Sequence, residues 1–97
     1  MNKELHHIVA KAAYNARYAR EKLKAVGIGV NDTRNLVWIK TGLHRRLHTN
    51  LYYGFANSVV ISAYNRGTNF TTRKNNVIRA LNTLRAFVLA LDKSAPF

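Results

Sequence analysis

The sequence predicts a mostly helical α+β fold that contains a short two-stranded antiparallel ribbon. Two short runs rich in β-branched and aromatic residues, at 5–9 and 35–39, are typical of strands. Three longer segments repeat apolar residues at spacings of three and four, which is the period of an α-helix. The predicted order is therefore strand, helix, strand, helix, helix, with one helix inserted between the strands and one at the C-terminus.

The helix between the strands is expected at residues 11–26. Its apolar residues form one stripe that can face a core; they are Ala12, Ala16, Ala19, Leu23 and Val26. Gly27 and Gly29 follow the stripe and end the helix. The turn-forming segment 29–34 then leads to the second strand. Because a ribbon of two short strands is only marginally stable by itself, we expect a helix to pack on it.

Two helices are expected after the second strand. The first, at residues 43–64, has an apolar residue at every fourth position: Leu43, Leu47, Leu51, Phe55 and Val59. A loop at 66–69 separates it from the last helix, at 72–91, whose stripe contains Val77, Leu81, Leu84, Val88 and Leu91. Pro96 cannot extend that helix.

The charge of the chain is the first functional signal. Its 97 residues suffice for a single small domain, residues 1–97, and carry 16 Lys and Arg against 4 Asp and Glu, a formal charge of +12. Such a charge attracts polyanions, namely nucleic acid, an anionic membrane or an acidic protein, and nucleic acid is favoured. Basic clusters at 17–24 and 73–79 are expected to contact phosphates without reading base sequence.

Three absences in the sequence exclude several classes of site and segment. The chain has no cysteine, which excludes disulfides, cysteine zinc sites, iron–sulfur clusters and thiol catalysis. No apolar run approaches the ~20 residues that a membrane span needs. The first residues lead directly into polar and basic sequence, so we expect no signal peptide in this chain and an export signal, if there is one, elsewhere in a longer protein.

The four histidines form two pairs, one at each end of the predicted strand–helix–strand segment. His44 and His48 are four residues apart in a predicted helix, a spacing that presents two imidazoles to one metal ion. His6 and His7 are adjacent on a strand, so their side chains point to opposite faces and can have different tasks. Taken alone, His44 and His48 also fit exposed basic residues on a cationic helix, and His6 and His7 also fit a tandem pair on a strand edge or the remainder of a purification tag. Asn35 stands nine residues before His44, at the start of the second strand.

With this asparagine, the pattern resembles the His-Asn-His, or ββα-metal, nuclease superfamily. In that superfamily a His-His pair ends the first strand, an asparagine lies on the second, and two histidines four apart lie on the next helix. The chain is most similar to the AHH (Ala-His-His) group, known mainly as C-terminal toxin modules of bacterial polymorphic toxins. The resemblance runs from about residue 5 to residue 91, and Leu5 stands where the family name has alanine.

The resemblance implies a ββα-metal motif and a metal-dependent endonuclease with little sequence specificity. By this analogy His6, His44 and His48 hold one divalent metal ion, which could be zinc, nickel, magnesium or manganese. His7 is expected to be the general base that takes a proton from water. Asn35 is expected to accept a hydrogen bond from His7 and to keep its ring in one orientation.

The resemblance also implies partners and a place of action. The substrate is expected to be DNA, bound in part by Arg45 and Arg46, which flank the first helical histidine. Tyr52 lies one turn beyond the second helical histidine and is expected, in preference to Tyr53, to line the site. A toxin domain of this kind is exported as part of a larger protein and acts in the cytoplasm of a target cell. Its producer needs an immunity protein, which should be acidic to match the charge of +12.

Three other interpretations remain open. The domain could be an RNase of the same fold. It could be a non-catalytic basic module that binds nucleic acid, with incidental histidines and no metal requirement. It could be a membrane-active basic helical protein, although the spacing of the histidines and the asparagine has no role there. Incubation of a plasmid with and without EDTA separates the nuclease from the last two.

Overall fold

The computed structural model describes residues 2–96 and has the predicted mostly helical α+β fold. Its strands are β1 (Lys3–His7) and β2 (Leu36–Lys40). Its helices are α1 (Arg17–Ala25), α2 (Thr41–Leu47), α3 (Asn50–Arg66) and α4 (Phe70–Ser94), and single 3-10 turns occupy Tyr14–Ala16 and Thr33–Asn35. None of the helices within residues 2–96 has the length and apolar character that crossing a membrane would need.

The two strands pair antiparallel, as predicted. His6 lies opposite Val37 and His7 lies opposite Leu36. Since side chains alternate across the pleat, His6 is buried whereas His7 is partly exposed, and Val37 is buried whereas its neighbour Trp38 is exposed. The ribbon thus gives two adjacent histidines different surroundings.

The inserted helix is shorter than the predicted segment 11–26. Ala12 lies before the helix and is exposed, whereas the other members of the predicted stripe are buried. Gly27 ends the helix in a left-handed conformation, φ +76°, and its N–H donates to the carbonyl of Lys24. The N–H of Ile28 reaches back to the carbonyl of Leu23 at 2.9 Å, which completes a glycine-terminated helix end.

The predicted single helix over residues 43–64 is wrong, because the chain leaves the helical conformation between α2 and α3. His48 follows α2 with φ −81° and ψ 66°, and Thr49 is extended. The Thr49 side chain accepts a hydrogen bond from the backbone N–H of Tyr52, as an N-cap does. The threonine therefore begins a new helix.

This interruption changes which side chains face the core. Leu51 and Phe55, expected to be buried, are 86% and 43% exposed. The buried face of α3 consists instead of Tyr52, Ala56, Val60 and Ala63. The stripe predicted for α4 is confirmed: its first four members are buried, and Leu91 is half-buried. The core lies where α1, α3, α4 and the inner face of the ribbon meet, with Leu23, Ile39, Leu81 and Leu84 among its fully buried side chains.

Candidate metal centre

Three of the four histidines meet at one point. One ring nitrogen each of His6, His44 and His48 lies within 4.8 Å of the other two. His6 comes from β1, His44 from α2, and His48 from the residue that ends α2. The predicted convergence therefore occurs, although His48 is not inside a helix. Their role as metal ligands stays a prediction.

The hydrogen bonds around His6 decide which of its nitrogens can bind an ion. His6 is 2% exposed, and its Nε2 lies 3.1 Å from the hydroxyl oxygen of Tyr52. The Tyr52 hydroxyl donates its single hydrogen to the carbonyl of Ile8 at 2.7 Å, so it accepts from Nε2–H of His6. Nδ1 of His6 then carries the lone pair, and it has no hydrogen-bond partner among residues 2–96. Since a buried polar atom without a partner is destabilising, Nδ1 is suited to a metal ion.

A carboxylate orients the second histidine. Nδ1 of His44 lies 3.0 Å from Oε1 of Glu4, which accepts its hydrogen and leaves Nε2 as the donor of a lone pair. Glu4 stands two residues before His6 on β1, so both side chains lie on the same face of the strand. A carboxylate behind a metal-binding histidine fixes the tautomer and raises the basicity of the ligand nitrogen.

The third histidine contacts a phenol with one ring nitrogen and the second histidine with the other. Nδ1 of His48 lies 3.0 Å from the hydroxyl oxygen of Tyr53, and its Nε2 lies 2.8 Å from Nε2 of His44. Two imidazole nitrogens on one tetrahedral zinc ion are about 3.3 Å apart. Since Nε2 of His44 carries a lone pair, the 2.8 Å contact is a hydrogen bond from Nε2–H of His48. Small rotations of the two rings and a shift of the His48 hydrogen to Nδ1, where the Tyr53 hydroxyl can accept it, would admit an ion between the two nitrogens.

Burial and neighbouring charges favour the neutral imidazole at two of the three histidines. Burial, followed by the charges of His44 and His48, lowers the pKa of His6 to about 3. Burial also lowers the pKa of His48, with His44 as the next cause. Only an unprotonated nitrogen can bind a metal ion, so the lowered pKa values of His6 and His48 favour the form of these two residues that binds.

His7 lies beside this cluster and contacts a different asparagine from the one predicted. It lines a cleft of about 500 Å³ together with His44, His48 and Tyr53. Its Nε2 donates to Oδ1 of Asn31 at 2.8 Å, which leaves Nδ1 as the hydrogen-bond acceptor. The ring is therefore held by a residue of the loop between α1 and β2.

The prediction that Asn35 orients His7 directly is wrong. Asn35 is fully buried, and both hydrogens of its amide are used by the carbonyls of Val9 and Val30. Its Oδ1 accepts from the N–H of Val9, and its own carbonyl accepts from the N–H of Ile8. Asn35 joins the segment after β1 to the loop before β2, so its influence on His7 passes through the backbone.

The residues predicted to contact substrate are placed differently from one another. Tyr52 is 5% exposed and its hydroxyl is held between His6 and Ile8, so the predicted substrate contact is wrong. Tyr53 lines the cleft instead. Arg45 is exposed on α2, and Arg46 lines a separate apolar groove between α3 and α4. A phosphate contact by either arginine stays a prediction.

Two residues of the site were absent from the sequence-based prediction. Glu4 carried a usable signal, because a residue two positions before His6 on a strand shares its face. Asn31 carried none, since the loop 28–35 has no periodicity from which its direction could be derived.

The chain matches one family model, which is described as AHH, a nuclease family of the HNH/ENDO VII superfamily with conserved AHH. The match covers residues 2–88. It includes both strands, both histidine pairs and most of α4. No curated protein and no solved structure matches the chain.

Proposed function

Because the chain belongs to the AHH nuclease family of the HNH/ENDO VII superfamily, we propose that it is a metal-dependent endonuclease that cleaves DNA with little sequence specificity. The observation that carries the proposal is the convergence of His6, His44 and His48, each with its other nitrogen held by a hydrogen bond. Such pre-orientation is typical of metal ligands.

The histidine cluster fits a divalent ion. The fit rests on the buried Nδ1 of His6, which has no partner among the described residues, and on the two Nε2 atoms that face each other. Three protein ligands leave positions open for water and substrate, as in catalytic zinc sites. Three imidazoles suit zinc or nickel, while magnesium and manganese remain alternatives as activators. A bound ion would neutralise charge on the scissile phosphate and stabilise the departing oxygen.

His7 is the proposed general base. Asn31 accepts from its Nε2–H, so Nδ1 is free to take a proton from a water molecule in the cleft. The ring is anchored but partly exposed, which lets it reach that water. Lys11 also lines the cleft and adds positive charge where a phosphate would enter.

DNA is the proposed substrate because metal-dependent cleavage with a histidine base mostly implies DNA in the superfamily that the chain resembles, and because this chemistry does not need a ribose 2′-hydroxyl. The nucleophile is water, which His7 deprotonates, so a deoxyribose backbone reacts as well as a ribose one. RNA is the second candidate. The charge of +12 supports a polyanionic substrate of either kind.

A toxin role is proposed on the basis of the family resemblance. In that role residues 1–97 form a toxin module of a larger exported protein, which acts in the cytoplasm of a target cell. An immunity protein that blocks the module in the producing cell should be acidic, since the chain carries 16 basic and only 4 acidic residues.

Plasmid cleavage tests the proposed activity. Purified protein is treated with EDTA, reloaded separately with zinc, nickel, magnesium or manganese, and incubated with supercoiled plasmid or with RNA. We expect nicking and linearisation of the plasmid in at least one metal and none in EDTA. Cleavage that persists unchanged in EDTA would refute metal dependence, and intact plasmid and RNA in every metal would refute the proposed enzyme.

A further inference from the structure

Two exposed tyrosines flank an arginine at the start of α1. Tyr14 is 71% exposed and Tyr18 is 50% exposed. The guanidinium carbon of Arg17 lies 3.6 Å from the ring centroid of Tyr14 and 4.3 Å from that of Tyr18. Arg17 also donates to the Tyr14 carbonyl and to the Tyr18 hydroxyl, each at 3.0 Å. These three side chains, the Tyr14–Arg17–Tyr18 stack, are held together while both tyrosines stay at least half exposed to solvent.

This stack has the composition of a surface on which nucleobases stack. A single exposed aromatic residue is common and needs no explanation. Here two aromatic rings lie around one guanidinium, and aromatic rings beside positive charge are how proteins bind unpaired bases. The arginine attracts the backbone, and the tyrosine rings offer flat apolar area to the bases.

A basic path connects the stack to the histidine cleft. Arg17 lines a cavity of about 570 Å³ together with Lys11, Arg20, Lys24 and one acid, Glu21. Lys11 lines both this cavity and the cleft at His7, His44 and His48. A strand bound at the stack could therefore extend along positive charge to the proposed site of cleavage.

We propose that the Tyr14–Arg17–Tyr18 stack binds unpaired bases, so that the preferred substrate of this site is a single strand or an unpaired segment. In a duplex the faces of the bases are covered by their neighbours, and a protein surface meets the phosphates, the sugars and the base edges in the grooves. A single strand can place bases on Tyr14 and Tyr18 and lead its backbone past Lys11. This inference rests on the proposed nuclease function. Supercoiled plasmid contains transiently unpaired segments and remains a substrate.

Binding measurements test this proposal apart from cleavage. The metal-loaded His7→Ala chain, in which the oligonucleotides should stay intact, is titrated into labelled 20-nucleotide single-stranded DNA, single-stranded RNA and duplex DNA. In this background Tyr14→Ala/Tyr18→Ala should weaken single-strand binding by about 10-fold or more, since each stacked base contributes substantially to binding. Duplex binding should change by less than about 3-fold, because phosphate contacts remain. The RNA and DNA strands show which sugar is preferred.

Three further variants control for folding and specificity. Tyr14→Phe/Tyr18→Phe keeps both rings and should keep single-strand affinity. Tyr14→Ala alone changes a mostly exposed side chain. If the double variant fails to fold, this single variant should still weaken single-strand binding. Phe70→Ala removes an exposed aromatic ring at the start of α4 and should have no effect. Unchanged single-strand affinity in folded Tyr14→Ala/Tyr18→Ala, or equal loss for duplex and single strand, overturns the proposal.

The outcome is separable from that of the proposed function. If the alanine variants lose single-strand affinity but no metal supports cleavage, the stack binds nucleic acid and the nuclease proposal fails. If the wild-type chain cleaves and the alanine variants bind single strands normally, only the inference about the stack fails.

Discussion

The hydroxyl oxygen of Tyr52 accepts a hydrogen bond from Nε2–H of His6 at 3.1 Å. Because this bond keeps the hydrogen of the ring on Nε2, the lone pair of Nδ1 stays available to a metal ion. Tyr52 can play this part because its own hydrogen is donated to the carbonyl of Ile8. Tyr52 is buried, so its hydroxyl acts on the site through His6 and not through substrate.

Tyr52→Phe should weaken metal binding by about 10-fold or more, as the loss of a hydrogen bond behind a ligand does. Without the hydroxyl, Nε2–H of His6 loses its acceptor and the ring is no longer held in one tautomer. Metal affinity is measured by competition with a chromophoric chelator. Tyr64→Phe removes a hydroxyl from a half-buried tyrosine outside the site and should have no effect. Equal affinities for Tyr52→Phe and the wild type would contradict this role.

Glu4→Gln should also weaken metal binding, because a neutral amide polarises His44 less than a carboxylate does. The zinc affinity of Glu4→Gln should lie between the affinities of the wild type and of His44→Ala, since the amide oxygen can still accept from Nδ1–H of His44. Isothermal titration with zinc gives the affinities. Glu21→Gln changes an exposed acid on α1 and is the control for charge alone. A Glu4→Gln chain that binds zinc like Glu21→Gln would rule out the orienting role of Glu4.

His7→Ala should abolish most cleavage while leaving metal content nearly unchanged. Loss of a general base lowers the rate by about 10²–10⁴-fold, and His7 is not one of the three histidines that converge. His48→Ala should lose metal and activity together. Cleavage rate and metal content are measured on the same preparations. Cleavage by His7→Ala at the wild-type rate refutes its role as base, and loss of metal from that variant would show that His6 and His7 have exchanged roles.

Asn35→Ala should lower the stability of the fold, whereas Asn31→Ala should lower the rate of cleavage. Asn35→Ala leaves the N–H and carbonyl of Val9 and the carbonyl of Val30 without their partners, and should lower the free energy of unfolding by about 2 kcal/mol or more. Asn31 is exposed and bonds the His7 ring, so Asn31→Ala should leave stability nearly unchanged and reduce the cleavage rate. Urea unfolding and plasmid cleavage separate the two. Equal losses of stability in the two variants would contradict the assignment of a structural role to Asn35 and of a role in holding His7 to Asn31.

The metal-free chain should become less stable as the pH falls below 6.5. The pKa of His6 is about 3 in the folded chain and 6.5 for a histidine in water, so between these values only the unfolded chain takes up the proton. Thermal midpoints in EDTA at pH 7.5, 6.0 and 5.0 measure the effect. His6→Asn removes the titrating group and should show a shallower decline. Parallel declines for His6→Asn and the wild type would exclude His6 as the cause.

The sequence by itself determined the initial strand–helix–strand order, the antiparallel ribbon, most of the stripe of α4 and the pairing of the histidines, but not the division of residues 43–64 into α2 and α3. These features depend on local periodicity: alternation separates His6 from His7, and a spacing of four keeps His44 near His48. His48 preserves this proximity even though it ends α2, because one residue past a helix has not yet left the face of the last turn.

The tertiary structure decided which side chains hold the histidines. The break at His48 and Thr49 changed the phase of α3, which buried Tyr52 and placed Tyr53 at the cleft. The partners Asn31 and Tyr52 lie 24 and 46 residues from the histidines they contact. Such contacts depend on how loops and helices pack across the whole domain. A pattern within one segment carries no information about them, since the hydrogen-bond partner belongs to another segment whose direction only packing determines.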